Sequence, residues 1–279
     1  MKTVSLPDGT RVPALGQGTW RMGESERAHN GEVAALKLGI ELGMTLIDTA
    51  EMYGDGRAEE VVAEAITGQR DRVFIVTKVY PHNASRTRLP EACERSLKRL
   101  RSSVVDLYLL HWREKRTPLD ETVEAFEKLR SQGKIRHWGV SNFDVRDMKE
   151  LSAIRNGTNC ATNQVLYNLE HHSIEFELLP WCQKNKIPIM AYSPIGHGRG
   201  FLSNPTLKNV GTRHGRTSAQ IVIAWLLRQP DVIVIPKASK LEHVRENARS
   251  VEVELTKEDL QDLDKEFPAP HSKQPLAMF

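Results

Sequence analysis

Cysteine is scarce in this chain: Cys93, Cys160 and Cys182 are the only three, lie far apart and form no Cys-x-x-Cys pair. That argues against a disulfide framework or a cysteine-rich zinc site, and an odd, sparse set of thiols suits a reducing compartment. Charge of one sign is lacking too. The 39 Lys and Arg residues are interspersed with 36 Asp and Glu, leaving a net charge of +3. Nothing here has the one-sided basic surface of a nucleic-acid binder. Long apolar runs are absent; IVIAWLL at 221–227 is far too short to span a bilayer. The opening MKTVSLPDGTRVP has no apolar stretch of signal-peptide type. Instead VSL and TRV flank a Pro7-Asp8-Gly9 turn, which predicts a short β-hairpin. No low-complexity segment or Ser/Gly linker interrupts the 279 residues. The expectation is one domain over 1–279, in a cytoplasmic protein with neither nucleic-acid nor membrane partner.

What the chain does have is rhythm. Short β-type runs recur at 14–20, 44–50, 72–78, 105–111, 135–142, 160–164, 187–193 and 231–237. Most are near-continuously apolar, as in strands buried on both faces of a parallel sheet. Between them lie amphipathic helical stretches such as 31–43, 90–100 and 120–133, the last opening on Asp120 and ending at Gly133. Strand–helix alternation with eight strand candidates predicts a (β/α)8 barrel, a length of chain such barrels commonly need. The rhythm falters at PIGHGRGFLSNPTLKN, before the helix at 217–229, which reads as a long loop over the mouth of the barrel.

In such a barrel the strand C-termini carry the chemistry. The residues ending the runs are Asp48 with nearby Tyr53, then Lys78, His111, Ser141-Asn142, Gln164, Tyr192-Ser193 and Lys237. Taken singly, each has a bland reading, since an Asp–Lys pair is commonly a structural ion pair and a lone His a satisfied core residue. Asp48, Lys78 and His111 on successive strand ends are harder to dismiss. A buried Lys78 needs an anion, which Asp48 supplies, and the paired Lys is expected to lower the pKa of the Tyr53 phenol. A tyrosine acid beside a histidine suits protonation of a carbonyl oxygen while a nicotinamide delivers hydride, because no side chain can.

In order along the chain, LGQGTW, LIDTAEMYGDG, IVTK, LYLLHW, GKIRHWGVSNF, NQVLYN, AYSPIG and IPKAS resemble the motifs of the aldo-keto reductases. The resemblance covers essentially the whole chain and implies an NADP(H)-binding barrel without a Rossmann domain. It implies a tetrad of Asp48, Tyr53, Lys78 and His111, with Tyr53 as general acid and His111 orienting the carbonyl. Ser141, Asn142 and Gln164 are implied to hold the carboxamide, and Tyr192 to stack on the nicotinamide. Ser193, Pro194, Ile195 and Gly196 would approach the pyrophosphate, with Arg199 reaching it from the GHGRG stretch. Gly18 and Thr19 of LGQGTW join the cofactor contacts, as do Lys237, Ala238 and Ser239 at the 2′-phosphate and Glu246 and Asn247 at the adenine. The chain departs from the family pattern at His243, which stands where an Arg often follows six residues after the Lys. NADPH is favoured, and use of NADH stays open.

Trp20, Tyr80 and Trp112 follow strand ends and are expected to wall an apolar cleft for small or aromatic aldehydes. The overall pattern is most similar to bacterial reductases of methylglyoxal and related reactive aldehydes, and the family's habit is monomeric. Two other readings remain at this point. One is a non-catalytic nucleotide-binding regulatory module on the same fold, against which the intact tetrad stands. The other is a metal-dependent barrel hydrolase, which needs clustered ligands where only Asp48 and His111 qualify.

Overall fold

The computed structural model describes residues 2–114, 116–196 and 200–278. Strands β1 (Thr3–Ser5) and β2 (Arg11–Pro13) form the expected antiparallel hairpin, in which Val4 faces Val12 and both are buried. The hairpin lies at the N-terminal end of the barrel, where Asp8 at its tip approaches His137 to 3.6 Å.

Eight parallel strands follow. They are β3 (Gln17–Gly18), β4 (Leu46–Asp48), β5 (Phe74–Val79), β6 (Val105–Leu110), β7 (Ile135–Ser141), β8 (Asn163–Leu166), β9 (Ile189–Tyr192) and β10 (Val232–Val234). Each pairs with its neighbour in sequence, and parallel bridges Leu15–Val234 and Gly18–Lys237 bring the two ends together. Three backbone bonds make that seam: Val234 N to Ala14 O at 2.8 Å, Gly16 N to Val234 O at 2.9 Å and Gly18 N to Pro236 O at 3.0 Å. Close approach explains the glycines here. A Cβ on Gly18 would sit 2.9 Å from Ile235 O, and one on Gly16 would sit 2.8 Å from Leu46 O.

The helices are α1 (Glu26–Glu41), α2 (Arg57–Ala65), α3 (Arg88–Leu100), α4 (Leu119–Ser131), α5 (Val145–Ala153), α6 (Leu178–Lys184), α7 (Pro205–His214), α8 (Ser218–Leu227), α9 (Leu241–Arg249) and α10 (Lys257–Glu266). They turn their apolar stripes to the sheet. In α3 the buried set is Leu89, Ala92, Cys93, Ser96, Leu97 and Leu100, spaced by three and four. In α8 every residue from Gln220 to Leu227 is buried, so its apolar character all round fits its place under neighbouring helices. Among the described residues no helix is long and apolar enough to cross a membrane.

The hairpin, the parallel barrel and the intervening helices match the sequence expectation, with local corrections. The run at 160–164 contributes only its end, since β8 is Asn163–Leu166. Helix α4 is capped at Pro118, so Asp120 lies within its first turn instead of ahead of it. Inside the stretch read as one long loop sits α7, whose cap is Asn204, accepting from Thr206 N at 2.8 Å, with Pro205 at the first helical position. Arg199, with His197 and Gly198 of the GHGRG stretch, lies outside the described residues.

Candidate active site

The sequence LID runs straight into the barrel because all three residues are buried, and its last carboxylate emerges at the C-terminal mouth. After it the chain makes a tight turn, Tyr53–Gly56, with Gly54 at φ 56°, Asp55 at 56° and Gly56 at 90°. Two glycines carry this left-handed path with little cost, and Asp55 is among the residues that tolerate it. The turn holds Tyr53 over the strand ends, half-buried, before α2 begins.

Lys78, near the end of β5, is wholly buried. Its ammonium donates to Asp48 Oδ2 at 2.8 Å, to the Thr49 carbonyl at 2.8 Å and to the Tyr53 hydroxyl at 3.3 Å. An ammonium has three N–H donors, so these bonds satisfy it completely. The other carboxylate oxygen, Asp48 Oδ1, accepts from Gln164 Nε2 at 2.7 Å. Burial pushes the Asp48 carboxyl up and the Lys78 ammonium down, and each is pulled back by the opposite charge beside it. A pair this close, with every donor matched, holds as an ion pair.

The phenol behaves differently from the sequence expectation. Burial first, and then the Asp48 charge, push Tyr53 well above the ordinary phenol range. Lys78 does not draw it down to neutrality, because its charge is offset by Asp48 at 2.8 Å. Tyr53 is thus a fully loaded proton donor at rest. The ammonium at its oxygen is placed to stabilise the phenolate once the proton has gone.

His111 follows β6, and its ring meets Tyr53 edge-on with centroids 5.8 Å apart. Burial, with Lys78 repulsion second, pushes its pKa down to about 2, so the imidazole is neutral. Its Nδ1 is buried without a hydrogen-bond partner among the described residues. Beyond it, Trp112 packs 4.9 Å from the His111 ring, and Tyr80 meets Trp112 edge-to-face at 5.9 Å. Trp20 is 40% exposed, with the Arg21 guanidinium 4.5 Å over its ring. A cavity of about 770 Å³ opens beside Trp112 and Asn142 and is lined further out by Arg113, Glu150 and Met278. The Tyr53–His111 pair borders it only through those first two residues.

The remaining strand ends converge on the same mouth. Asn142, at φ 61°, donates to the His111 carbonyl at 3.1 Å and to Ser141 Oγ at 3.2 Å, and accepts from the Tyr192 hydroxyl at 3.0 Å. Ser141 Oγ donates to the Gln164 carbonyl at 2.8 Å. Gln164 gives its amide hydrogens to Asp48 and to Met190 Sδ at 2.9 Å, which leaves its amide oxygen as the acceptor. Ser193 is at φ 49° and Gly196 at φ 69°, with Asn168 Nδ2 bonded to the Ser193 carbonyl at 2.9 Å. Pro194 is buried, while Ile195 and Ala238 are partly buried against the core. Lys237 Nζ lies 3.4 Å from Ser239 Oγ, His243 is exposed on α9, Glu246 is half-buried and Asn247 is buried.

Two of the expected cofactor contacts also serve the fold. Gly18 serves the barrel seam, and the fully buried Thr19 bonds its hydroxyl to the Asp48 carbonyl at 3.0 Å. Residues that sequence reasoning passed over include Glu51, whose carboxylate accepts from Tyr80 N at 2.7 Å and Asn83 Nδ2 at 3.1 Å, pinning the Tyr53 turn. Asn168 is another, fully buried and bonded to Ser193. Both sit inside quoted motifs, TAEMYG and NQVLYN, as polar residues flanked by apolar ones, which is the signal that marks them. Among the described residues no group of three or more His, Cys, Asp or Glu is placed to hold a metal ion.

A family model described as "Aldo/keto reductase family" matches residues 14–266. Methylglyoxal reductase YeaE of Escherichia coli K12 is 51% identical over an alignment 281 positions long, covering 99% of each chain. Glyoxal reductase of Bacillus subtilis is 32% identical, covering 94% of this chain and 91% of its own. The crystal structure of an aldo/keto reductase from Klebsiella pneumoniae in complex with NADP and acetate superposes with a TM-score of 0.97 at 49% identity, covering 100% of this chain and 99% of that one.

Proposed function

The chain belongs to the aldo/keto reductase family, and on that premise we propose that it reduces small aldehydes and ketones to alcohols with NADPH, Tyr53 giving the proton. The observation that carries the reading is the cluster around one ammonium, with Asp48, Thr49 and Tyr53 as its three acceptors and neutral His111 alongside.

The residues present fit the nucleotide. The Gln164 amide oxygen is left as an acceptor for a carboxamide N–H, with the Ser141–Asn142 pair beside it. Tyr192 is tethered by its hydroxyl to Asn142, and its ring would stack on the nicotinamide. Ser193 to Gly196, in left-handed turns at both ends, bring backbone toward the pyrophosphate. Lys237 and Ser239 offer a cation and a donor to the 2′-phosphate, with His243, Glu246 and Asn247 around the adenine. The chemistry required of the nucleotide is delivery of hydride to the carbonyl carbon.

On the protein side, His111 and Tyr53 converge on the carbonyl oxygen. The neutral imidazole orients the oxygen by hydrogen bonding, and its low pKa keeps it from competing as an acid. As negative charge develops on that oxygen, the Tyr53 proton transfers to it. Lys78 then holds the phenolate by the contact it already makes at 3.3 Å. Asp48 keeps Lys78 charged and in place. Trp112 and Tyr80 exclude water on the substrate side. Methylglyoxal and aromatic aldehydes fit this small aromatic-walled approach, and both named relatives act on dicarbonyls of the first kind by their descriptions. We take the molecule to work as one catalytic unit, a cytoplasmic monomer.

NADPH and NADH oxidation followed against a panel of aldehydes and ketones tests this. Turnover of methylglyoxal with NADPH is expected. Absence of turnover with every carbonyl would remove the reading, and equal kcat/KM for NADH would remove the nucleotide preference.

A further inference from the structure

Behind the catalytic cluster, on the outer face of the barrel, lies a second charged pair that the reaction as described does not use. Glu59, in the first turn of α2, is wholly buried. Its Oε1 accepts from Thr77 Oγ1 at 2.6 Å and its Oε2 from Arg99 Nε at 2.6 Å. Thr77 directly precedes Lys78 in β5, so the two side chains point to opposite faces of the strand. Arg99 comes from α3 and also donates to Ser96 Oγ at 3.3 Å. Its side chain covers Gly56: a Cβ there would lie 2.5 Å from Arg99 Nε and 2.6 Å from its Cδ.

Gly56 closes the turn that carries Tyr53. One carboxylate therefore joins the helix that follows the phenol, the strand that carries the ammonium and the helix after that strand. A buried ion pair is weak evidence of stabilisation by itself, because desolvation offsets much of its attraction. Its better use is to fix geometry, here the register between the Tyr53 turn and Lys78.

We propose that Glu59, Thr77 and Arg99 form a clamp that positions the Tyr53 turn against β5 and so sets the Lys78–Tyr53 contact. They are positioning residues, acting through Tyr53 and touching neither substrate nor nucleotide. The inference rests on Tyr53 being the acid.

The test is a single-turnover rate of aldehyde reduction in NADPH-loaded enzyme, with the NADPH dissociation constant read in parallel from protein fluorescence. Thr77→Ser keeps the hydroxyl and is expected to stay within about threefold of the wild-type rate. Thr77→Val and Arg99→Ala are expected to slow the step by about tenfold or more, the scale of a misplaced catalytic group. Their NADPH affinity is expected to stay within about twofold, and Arg99→Lys, which restores the charge but not the fork, falls between. If Thr77→Val fails to fold, the two Arg99 variants carry the comparison. A wild-type rate in Arg99→Ala, or parallel loss of rate and nucleotide affinity in the variants, overturns the clamp. Tyr53→Phe in the same series separates the two ideas. A dead Tyr53→Phe beside a fully active Arg99→Ala sinks the clamp alone, whereas an active Tyr53→Phe sinks the mechanism beneath it.

Discussion

At the scale of single residues, the decisive quantity is the protonation state each group is held in. His111 is kept neutral by burial, its pKa down to about 2 against an ordinary value of about 6.5. The sign of its effect on stability follows. Below about pH 6.5 the unfolded chain takes up a proton at this histidine and the folded chain does not, so stability falls as pH drops. The expected slope from this one group is about 1.4 kcal/mol per pH unit below that point. Urea unfolding between pH 4 and 8 checks it, and His111→Asn should flatten the profile by that amount. The chemistry-bearing residue types were legible in the sequence, since Asp48, Lys78 and His111 end successive strands. The direction of the Tyr53 shift was not. It depends first on how deeply the phenol is buried and then on the Asp48 charge, which also offsets Lys78 at 2.8 Å, and no spacing reveals either. Gln164 shows the same limit: its place at a strand end could be read, but not that Asp48 and Met190 take its amide hydrogens.

Among the elements, the strands could be read from their apolar runs because both faces are buried, as in β6, where every residue is. The seam between β3 and β10 could not, because it consists of bridges and close backbone approaches. Gly18→Ala tests that seam. Its Cβ would meet Ile235 O at 2.9 Å, and overpacking of this sort costs about 1–3 kcal/mol. Chemical denaturation is expected to show that loss. Helix α7 was missed because a stretch rich in glycine and proline reads as loop, although Asn204-Pro205 carries the signature of a helix start. Asn204→Ala removes a cap bonded to Thr206 N and Leu207 N and is expected to cost about 1 kcal/mol, seen as a lower Tm with turnover unchanged.

Over the whole molecule, the barrel gathers residues far apart in sequence onto one mouth, from Asp48 at β4 to Lys237 beyond β10. The proposed adenosine end carries exposed His243 on α9. His243→Arg adds a permanent charge and is expected to raise the kcat/KM preference for NADPH over NADH by about tenfold, the worth of one charge-assisted bond. An unchanged ratio would place phosphate recognition with Lys237 and Ser239 alone. The central claim, that this mouth is a proton-donating site built on Tyr53, meets its most direct test in Tyr53→Phe. The variant keeps the ring and removes only the hydroxyl that Lys78 contacts at 3.3 Å. Methylglyoxal reduction by NADPH is expected to fall by about 10²–10⁴-fold, the usual contribution of a general acid, with NADPH affinity retained. Turnover at the wild-type rate would contradict the account.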